Sequence, residues 1–222
     1  LASKAPCKGL VAEYIETQKN QLAALGVQVE LNHAPTMAEL RRLDPYGIFV
    51  TMGGQQIVPD IPGIDRENVF GIEDILLGRR VIEGRKVAVI GGGHVGLEVA
   101  HFLCANNKVT IVEMADEIGA SVYYITKFKL LPLLREAGVT FRTGQAIAAV
   151  DDGSIRLRDT HTGQCTELKA EAVVLAMGSR PDLAARAAFD RNFDHVVYAG
   201  DAVRGGTMLE ANRDAFALAW EF

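Results

Sequence analysis

Apolar runs and polar breaks alternate along this chain in the rhythm of strands and helices. The sharpest stretch opens with Val87-Ala88-Val89-Ile90, a run of buried-strand length, and crosses Gly91-Gly92-Gly93. It then shows helical spacing of Val95, Val99, Phe102 and Leu103. That order predicts a strand, a tight turn and a helix. Asn106-Asn107-Lys108 breaks the helix, and Val109-Thr110-Ile111-Val112-Glu113 reads as a second strand ending on a carboxylate. The unit is βαβ, and the predicted class is α/β with a parallel sheet.

Downstream, Lys127 to Ala137 reads as a helix interrupted near Pro132, and Gly138 to Arg142 as a short strand. Ala148 to Asp159 and Glu167 to Lys169 read as hairpin strands, turning at Asp151-Asp152-Gly153 and at Thr162-Gly163. Ala172 to Met177 is apolar throughout, as in a strand buried on both faces, and Gly178-Ser179-Arg180-Pro181 is expected to stop it. Val196 to Ala199 reads as a strand ending in Gly200-Asp201, and Leu209 to Trp220 as a helix.

The pattern also repeats. Leu22 to Leu31 parallels Leu134 to Thr143, and Gly47 to Gly53 parallels Ala172 to Gly178, in the same order. Either match alone recurs by chance in α/β proteins; together they point to one half-domain occurring twice. Gly91 lies 47 residues before Gly138, and the same step back from Gly26 falls at position −21, ahead of residue 1. The expectation is that the first copy lacks its βαβ unit and that the sequence is a fragment of a longer polypeptide.

Composition narrows the function. With 49% hydrophobic and 23% charged residues in 222, the chain can bury a core, and no apolar run reaches the roughly 18 residues of a membrane span. A net charge of −5 with scattered basic residues leaves no footprint for nucleic acid. Cys7, Cys104 and Cys165 form no C-x-x-C, against a disulfide framework and a local redox pair, so a cytoplasmic setting is expected. His33, His161 and His195 share no ligand spacing with a carboxylate or cysteine, so neither a metal site nor a catalytic triad is expected.

The chemistry rests on G-x-G-x-x-G at Gly91, Gly93 and Gly96. The first glycine makes the turn, the second leaves room for a pyrophosphate, and the third lets helix pack on strand. Tight βα packing alone would use such glycines. Glu113, 22 residues after Gly91 at the end of the next strand, adds a carboxylate that can accept the adenosine ribose hydroxyls. That carboxylate, followed by Met114-Ala115-Asp116 with no arginine, favours NAD(H) over NADP(H). His94 either lies over the pyrophosphate or fills the turn at the surface, and His101 reads as packing or surface. Asp201 either bonds a ribose or ribityl hydroxyl or caps the helix that follows.

Together these residues resemble the pyridine-nucleotide:disulfide oxidoreductase superfamily. The following stretches are similar to the C-terminal half of NADH:flavin oxidoreductases of the 2,4-dienoyl-CoA reductase, enoate reductase and trimethylamine dehydrogenase type: Leu1-Ala2-Ser3-Lys4-Ala5-Pro6, Gly26 to Asn32, Val58-Pro59-Asp60-Ile61-Pro62-Gly63, Gly91 to Ala100, and Val112 to Gly119. The missing C-x-x-C sets the chain apart from thioredoxin reductase. The resemblance implies a Rossmann-like NAD(P)-binding domain inserted in a truncated FAD-binding domain of the same fold. The expected division is 1–75 for the first FAD-type part, 76–180 for the NAD(H) domain and 181–222 for the closing part. It implies FMN and a [4Fe–4S] cluster only in an N-terminal barrel absent from this sequence, which would be the partner of these residues. Cofactor-binding residues are then expected at Gly91, Gly92, Gly93, His94, Val95 and Gly96, at Glu113 and Met114, at Gly178, and at Gly200 and Asp201 for flavin. No side chain is assigned a catalytic role, because the cofactors react with one another. Two departures stand out: Thr51-Met52-Gly53 replaces the family's Ala-Thr-Gly, and no amino-terminal glycine turn is present to grip FAD. Tight flavin binding by these residues is therefore not expected, and an open apolar sheet edge should favour self-association. A rival implied by the trimethylamine dehydrogenase type is an ADP-holding module without redox turnover.

Overall fold

The structure, a computed structural model, describes residues 1–222. In chain order its elements are α1 (Gly9–Ala24), α2 (Met37–Arg42), β1 (Ile48–Val50), β2 (Gly54–Gln56), β3 (Val69–Gly71), α3 (Ile72–Leu76), β4 (Lys86–Ile90), α4 (His94–Leu103), β5 (Lys108–Val112), α5 (Tyr124–Glu136), β6 (Thr140–Arg142), β7 (Gln145–Val150), β8 (Ser154–Asp159), β9 (Cys165–Lys169), β10 (Ala172–Leu175), β11 (Ser179–Pro181), α6 (Leu183–Asp190), β12 (Val196–Tyr198) and α7 (Met208–Glu221). No helix is long and apolar enough to cross a membrane.

Two units emerge. The first comprises Leu1–Gln21 and Val58–Gly178. Its centre is a five-stranded parallel sheet in the order β3-β10-β4-β5-β6. Alternation of side chains decides what each face carries. Val87, Val89, Val109, Ile111 and Val174 point into one cluster with Leu97, Val99, Leu103 and Leu134 of α4 and α5. Ala88, Ile90, Val112, Val173 and Leu175 point the other way, into a cluster with Ile147, Val150, Ile155 and Leu157 of the antiparallel sheet β7-β8-β9. Both faces are thus covered, which is why β10 and most of β4 are uninterrupted apolar runs. Each fully buried branched side chain contributes roughly 1.5–3 kcal/mol.

The second unit comprises Leu22–Ile57 and Ser179–Phe222. Here β1 pairs in parallel with β12, in register Ile48↔Val196 to Val50↔Tyr198, and each strand has one neighbour only. Tyr198 is anchored by its hydroxyl, 2.7 Å from Asp190 Oδ1 and 3.0 Å from the Arg186 carbonyl, with the Arg186 guanidinium over its ring. Burial, with Asp190 alongside, pushes its phenol up to about 12.

Several elements differ from expectation. α5 runs unbroken through Pro132, because the bond that proline cannot make, to the Phe128 carbonyl, is lost on an exposed face. Ser179–Pro181 does not simply stop the chain: it forms β11, antiparallel to β2, with Pro181 at a strand end where no N–H is needed. α6, capped by Asp182 through Ala185 N–H at 2.9 Å, was not expected, although Asp182 ahead of the alanine-rich run 183–188 is a helix-start signal. The stretch 58–75, expected to belong with 1–57, packs in the first unit: β3 pairs with β10, and Val150 N–H donates to the Pro62 carbonyl at 2.9 Å.

The repeat holds at its helix ends and fails at one strand. Val27 N–H bonds the Leu22 carbonyl at 3.0 Å and Val139 N–H bonds that of Leu134 at 2.9 Å, each around a positive-φ glycine, Gly26 or Gly138. These are matching helix-terminating turns. Val139 then leads into β6, which pairs with β5, whereas Val29 and Leu31 join no strand and stay 57% and 78% exposed.

Candidate nucleotide site

The site forms where β4 ends and α4 begins, at the carboxyl end of the parallel sheet. Gly91 sits at φ +110°, and its N–H donates to the Val112 carbonyl at 2.8 Å, tying the turn to β5. A Cβ on Gly91 would lie 2.4 Å from the Ala176 carbonyl oxygen, and one on Gly96 only 1.9 Å from that of Gly91. Gly96 therefore marks the helix–strand contact. A Cβ on Gly93 would meet nothing within 4 Å. Gly93 is the N-cap of α4 and gives it no side-chain cap, so the first-turn amides face the cleft free of protein side chains.

Glu113 projects from the end of β5 to the same place. Its Oε2 accepts from Gly92 N–H at 2.6 Å and its Oε1 from Ala115 N–H at 2.8 Å. One lone pair on each oxygen is thereby used and another remains for a ligand hydroxyl. Glu113 thus braces the glycine turn, a structural task invisible in the spacing.

A cleft of about 410 Å³ opens here. Gly91, Gly93, His94, Val95, Glu113, Met114 and Gly178 line it. Gly92 and Gly96 are buried behind the turn rather than on the cleft wall. Ser121 and Gln145, which carried no motif, also reach the lining. Gly200 and Asp201 lie in the second unit, where Asp201 accepts from Ser179 Oγ at 3.0 Å and from Gly206 N–H at 3.2 Å. Asp201 braces a loop there, and α7 takes its capping from Thr207 and Glu210 instead.

Sequence reasoning missed Glu98. It is the one buried charged side chain, 9% exposed, on the inward face of α4. Lys8 Nζ forms a short ion pair with its Oε1, and His94 Nε2, one turn back, lies 2.7 Å from the same oxygen. Burial pushes the Glu98 carboxyl up, but His94 and Lys8 outweigh it and leave the group below the ordinary carboxylate value. The available signal was the i, i+4 pairing of His94 with a carboxylate between Leu97 and Val99.

A profile of the pyridine nucleotide-disulphide oxidoreductase family matches residues 11–195. NADH oxidase of Thermoanaerobacter brockii is 29% identical over 100% of this chain and 35% of its own length. Bilirubin reductase of Mediterraneibacter gnavus is 28% identical over 90% of this chain and 31% of its own. Among solved structures, a 2-naphthoyl-CoA reductase complex superposes with a TM-score of 0.88 at 26% identity, covering 100% of this chain and 34% of that one. Histamine dehydrogenase from Rhizobium sp. 4-9, at TM-score 0.84 and 16% identity over 100% of this chain and 37% of its own, shares the fold. The chain spans about a third of the length of the curated relatives named here.

Proposed function

This chain belongs to the pyridine nucleotide-disulphide oxidoreductase family, and from that premise we propose that its cleft holds NADH and presents it for hydride transfer to FAD. The observation that carries the reading is the pairing of an open position at Gly93 with a carboxylate at Glu113 that keeps acceptor capacity, on either side of one cleft. In this reading the pyrophosphate lies against Gly91 to Gly93 and the first-turn amides of α4 (Val95 among them), where helix dipole and free N–H groups favour an anion. Gly96 keeps α4 close enough for those amides to reach it. Glu113 accepts the adenosine ribose hydroxyls and, by its charge, disfavours a 2′-phosphate. His94, Met114 and Gly178 close the walls.

A bound flavin would supply the acceptor, taking hydride at N5 from nicotinamide C4; the protein's share is placement. Gly200 and Asp201 are the residues we assign to the ribityl side. The second unit has no G-x-G-x-x-G turn joining a strand to a helix, Gly205-Gly206 before α7 lacking that pattern, so its residues do not fit tight FAD binding on their own, and no step is assigned through them. Onward reduction of a substrate, in an FMN and iron–sulfur barrel as the family resemblance implies, completes the proposal.

Calorimetric titration with NADH, NADPH and ADP, followed by anaerobic mixing of NADH with added FAD, tests it. NADH is expected to bind more tightly than NADPH and to reduce the flavin only when FAD is supplied in large excess, because these residues do not hold it tightly. Glu113→Gln should weaken NADH about 5- to 30-fold, the loss of one or two hydrogen bonds. Equal or tighter NADPH binding refutes the role of Glu113. Binding of ADP with no flavin reduction replaces the redox reading with a nucleotide-holding module.

A further inference from the structure

The loop beyond Glu113 carries a second carboxylate, and its partner comes from the turn between β8 and β9. Asp116 Oδ1 lies 2.6 Å from His161 Nε2. Backbone contacts knit three segments together around this pair. Gly144 N–H donates to the Ala115 carbonyl at 2.9 Å, Thr160 N–H to the Gly144 carbonyl at 2.8 Å, and Thr160 Oγ1 to the Met114 carbonyl at 3.4 Å. Gly144, at φ +62°, permits the approach: a Cβ there would already lie 3.4 Å from Asp116 Oδ1 and 3.6 Å from the His161 ring. Met114, two residues before Asp116, and Gln145, next to Gly144, both line the nucleotide cleft. The pair is therefore tied by backbone bonds to segments whose neighbouring residues line the cleft, and we take it to stand at the rim. With side chains 75% and 64% exposed, it adds little to folding.

We infer that Asp116 is a specificity-determining residue, a second carboxylate that rejects the 2′-phosphate of NADPH, and that His161 sets the strength of this rejection by neutralising Asp116 when protonated. The inference rests on the reading that Glu113 faces the adenosine ribose. The charged groups on the three segments are Glu113, Asp116 and Glu117 after β5, Arg142 at the end of β6, and Arg158, Asp159 and His161 around the β8–β9 turn. Glu117 is engaged by Lys127. Asp116, with a smaller contribution from Asp159, holds the His161 imidazole above its ordinary value. Below that value Asp116 is paired with an imidazolium and the rim is weakly repulsive. Above it Asp116 stands uncompensated.

The test is the ratio of NADPH to NADH dissociation constants, measured by calorimetry between pH 5.5 and 8.5 in the whole chain. The 2′-phosphate has its own ionisation near pH 6, which also raises the ratio with pH, so variants separate the protein's share. Asp116→Asn should lower the ratio about twofold at pH 8.5, the order expected for one carboxylate acting on a dianion through water across about one screening length, roughly 8 Å. It should leave NADH affinity unchanged. His161→Gln should raise the ratio at pH 5.5 by somewhat less, because the 2′-phosphate is then mostly a monoanion, and leave it unchanged at pH 8.5. An Asp116→Asn ratio equal to wild type, or a His161→Gln profile superimposable on wild type, overturns the inference. Unchanged NADH affinity in Glu113→Gln overturns the ribose assignment and the rim proposal with it.

Discussion

Gly93 and Gly96 stand three residues apart in one motif, and the structure gives them opposite roles that a pair of valine substitutions separates. At Gly96 a Cβ would lie 1.9 Å from the Gly91 carbonyl oxygen, over 1 Å inside the closest approach real Cβ atoms make. The obstacle is backbone, so α4 must shift off the sheet, pulling Leu97, Val99 and Leu103 from the core cluster. Overpacking of this kind costs about 3 kcal/mol, the upper part of its usual range. In a protein of this size that lowers the melting temperature by roughly 6–12 °C. At Gly93 nothing lies within 4 Å, and its φ of −75° is open to any residue, so the fold should be unaffected. There the branched side chain enters the space assigned to the pyrophosphate, and ADP binding should fall at least 100-fold, about 2.7 kcal/mol. Circular-dichroism melting and calorimetric titration with ADP read the two effects. A Gly93→Val protein that binds ADP normally would make the turn purely structural. A Gly96→Val protein with wild-type stability would show that the helix–strand contact is not where the third glycine acts.

Lys8→Met should destabilise the first unit by about 1–2 kcal/mol, less than the ~3–5 of a fully buried pair because Lys8 keeps some solvent contact. Because the folded Glu98 carboxyl titrates below its ordinary value, its stabilisation is present above the unfolded carboxyl value and is lost as pH falls through the folded one. Removing Lys8 raises that folded value, so acid unfolding followed by circular dichroism should begin at higher pH in the variant. Tyr198→Phe should cost about 1 kcal/mol by stranding Asp190 and the Arg186 carbonyl, and ultraviolet titration of the wild type should show one phenol that resists ionisation until about pH 12. Protein purified without added cofactor should be colourless, since the second unit carries no G-x-G-x-x-G turn to hold the FAD pyrophosphate; stoichiometric yellow flavin would refute that.

The sheet of the first unit was legible because burial on both faces writes itself into composition: Val87 to Ile90 and Ala172 to Leu175 have no polar residue to alternate with. The helix ends at Gly26 and Gly138 were legible because a left-handed residue there favours glycine. What escaped depended on a partner distant in sequence. Whether Val27 to Leu31 becomes a strand turns on a neighbour to pair with, and Val139 to Arg142, similar in pattern, had β5 beside it. β11 is read as a stop from Gly178 and Pro181 until β2 supplies the other half of its ladder. Lys8, 90 positions from Glu98, announced nothing.

The cleft residues divide along the same line, and Glu113 shows why. Its spacing from the glycines marked it as a ligand for a nucleotide, yet its visible bonds run to Gly92 and Ala115 within the protein. The two roles reinforce each other. A carboxylate that holds the Gly92 amide fixes the turn in the shape that leaves Gly93 open, and the two backbone donors fix the carboxylate's remaining lone pairs before any ligand arrives. Preorganisation of this kind lowers the ordering cost of binding. It also means that truncating Glu113 removes ligand bonds and turn support together. Glu113→Ala should therefore weaken NADH more than Glu113→Gln does, and should weaken ADP in the same proportion. If the alanine variant loses no more than the glutamine variant, the turn holds its shape without Glu113, and the carboxylate acts on the ribose alone.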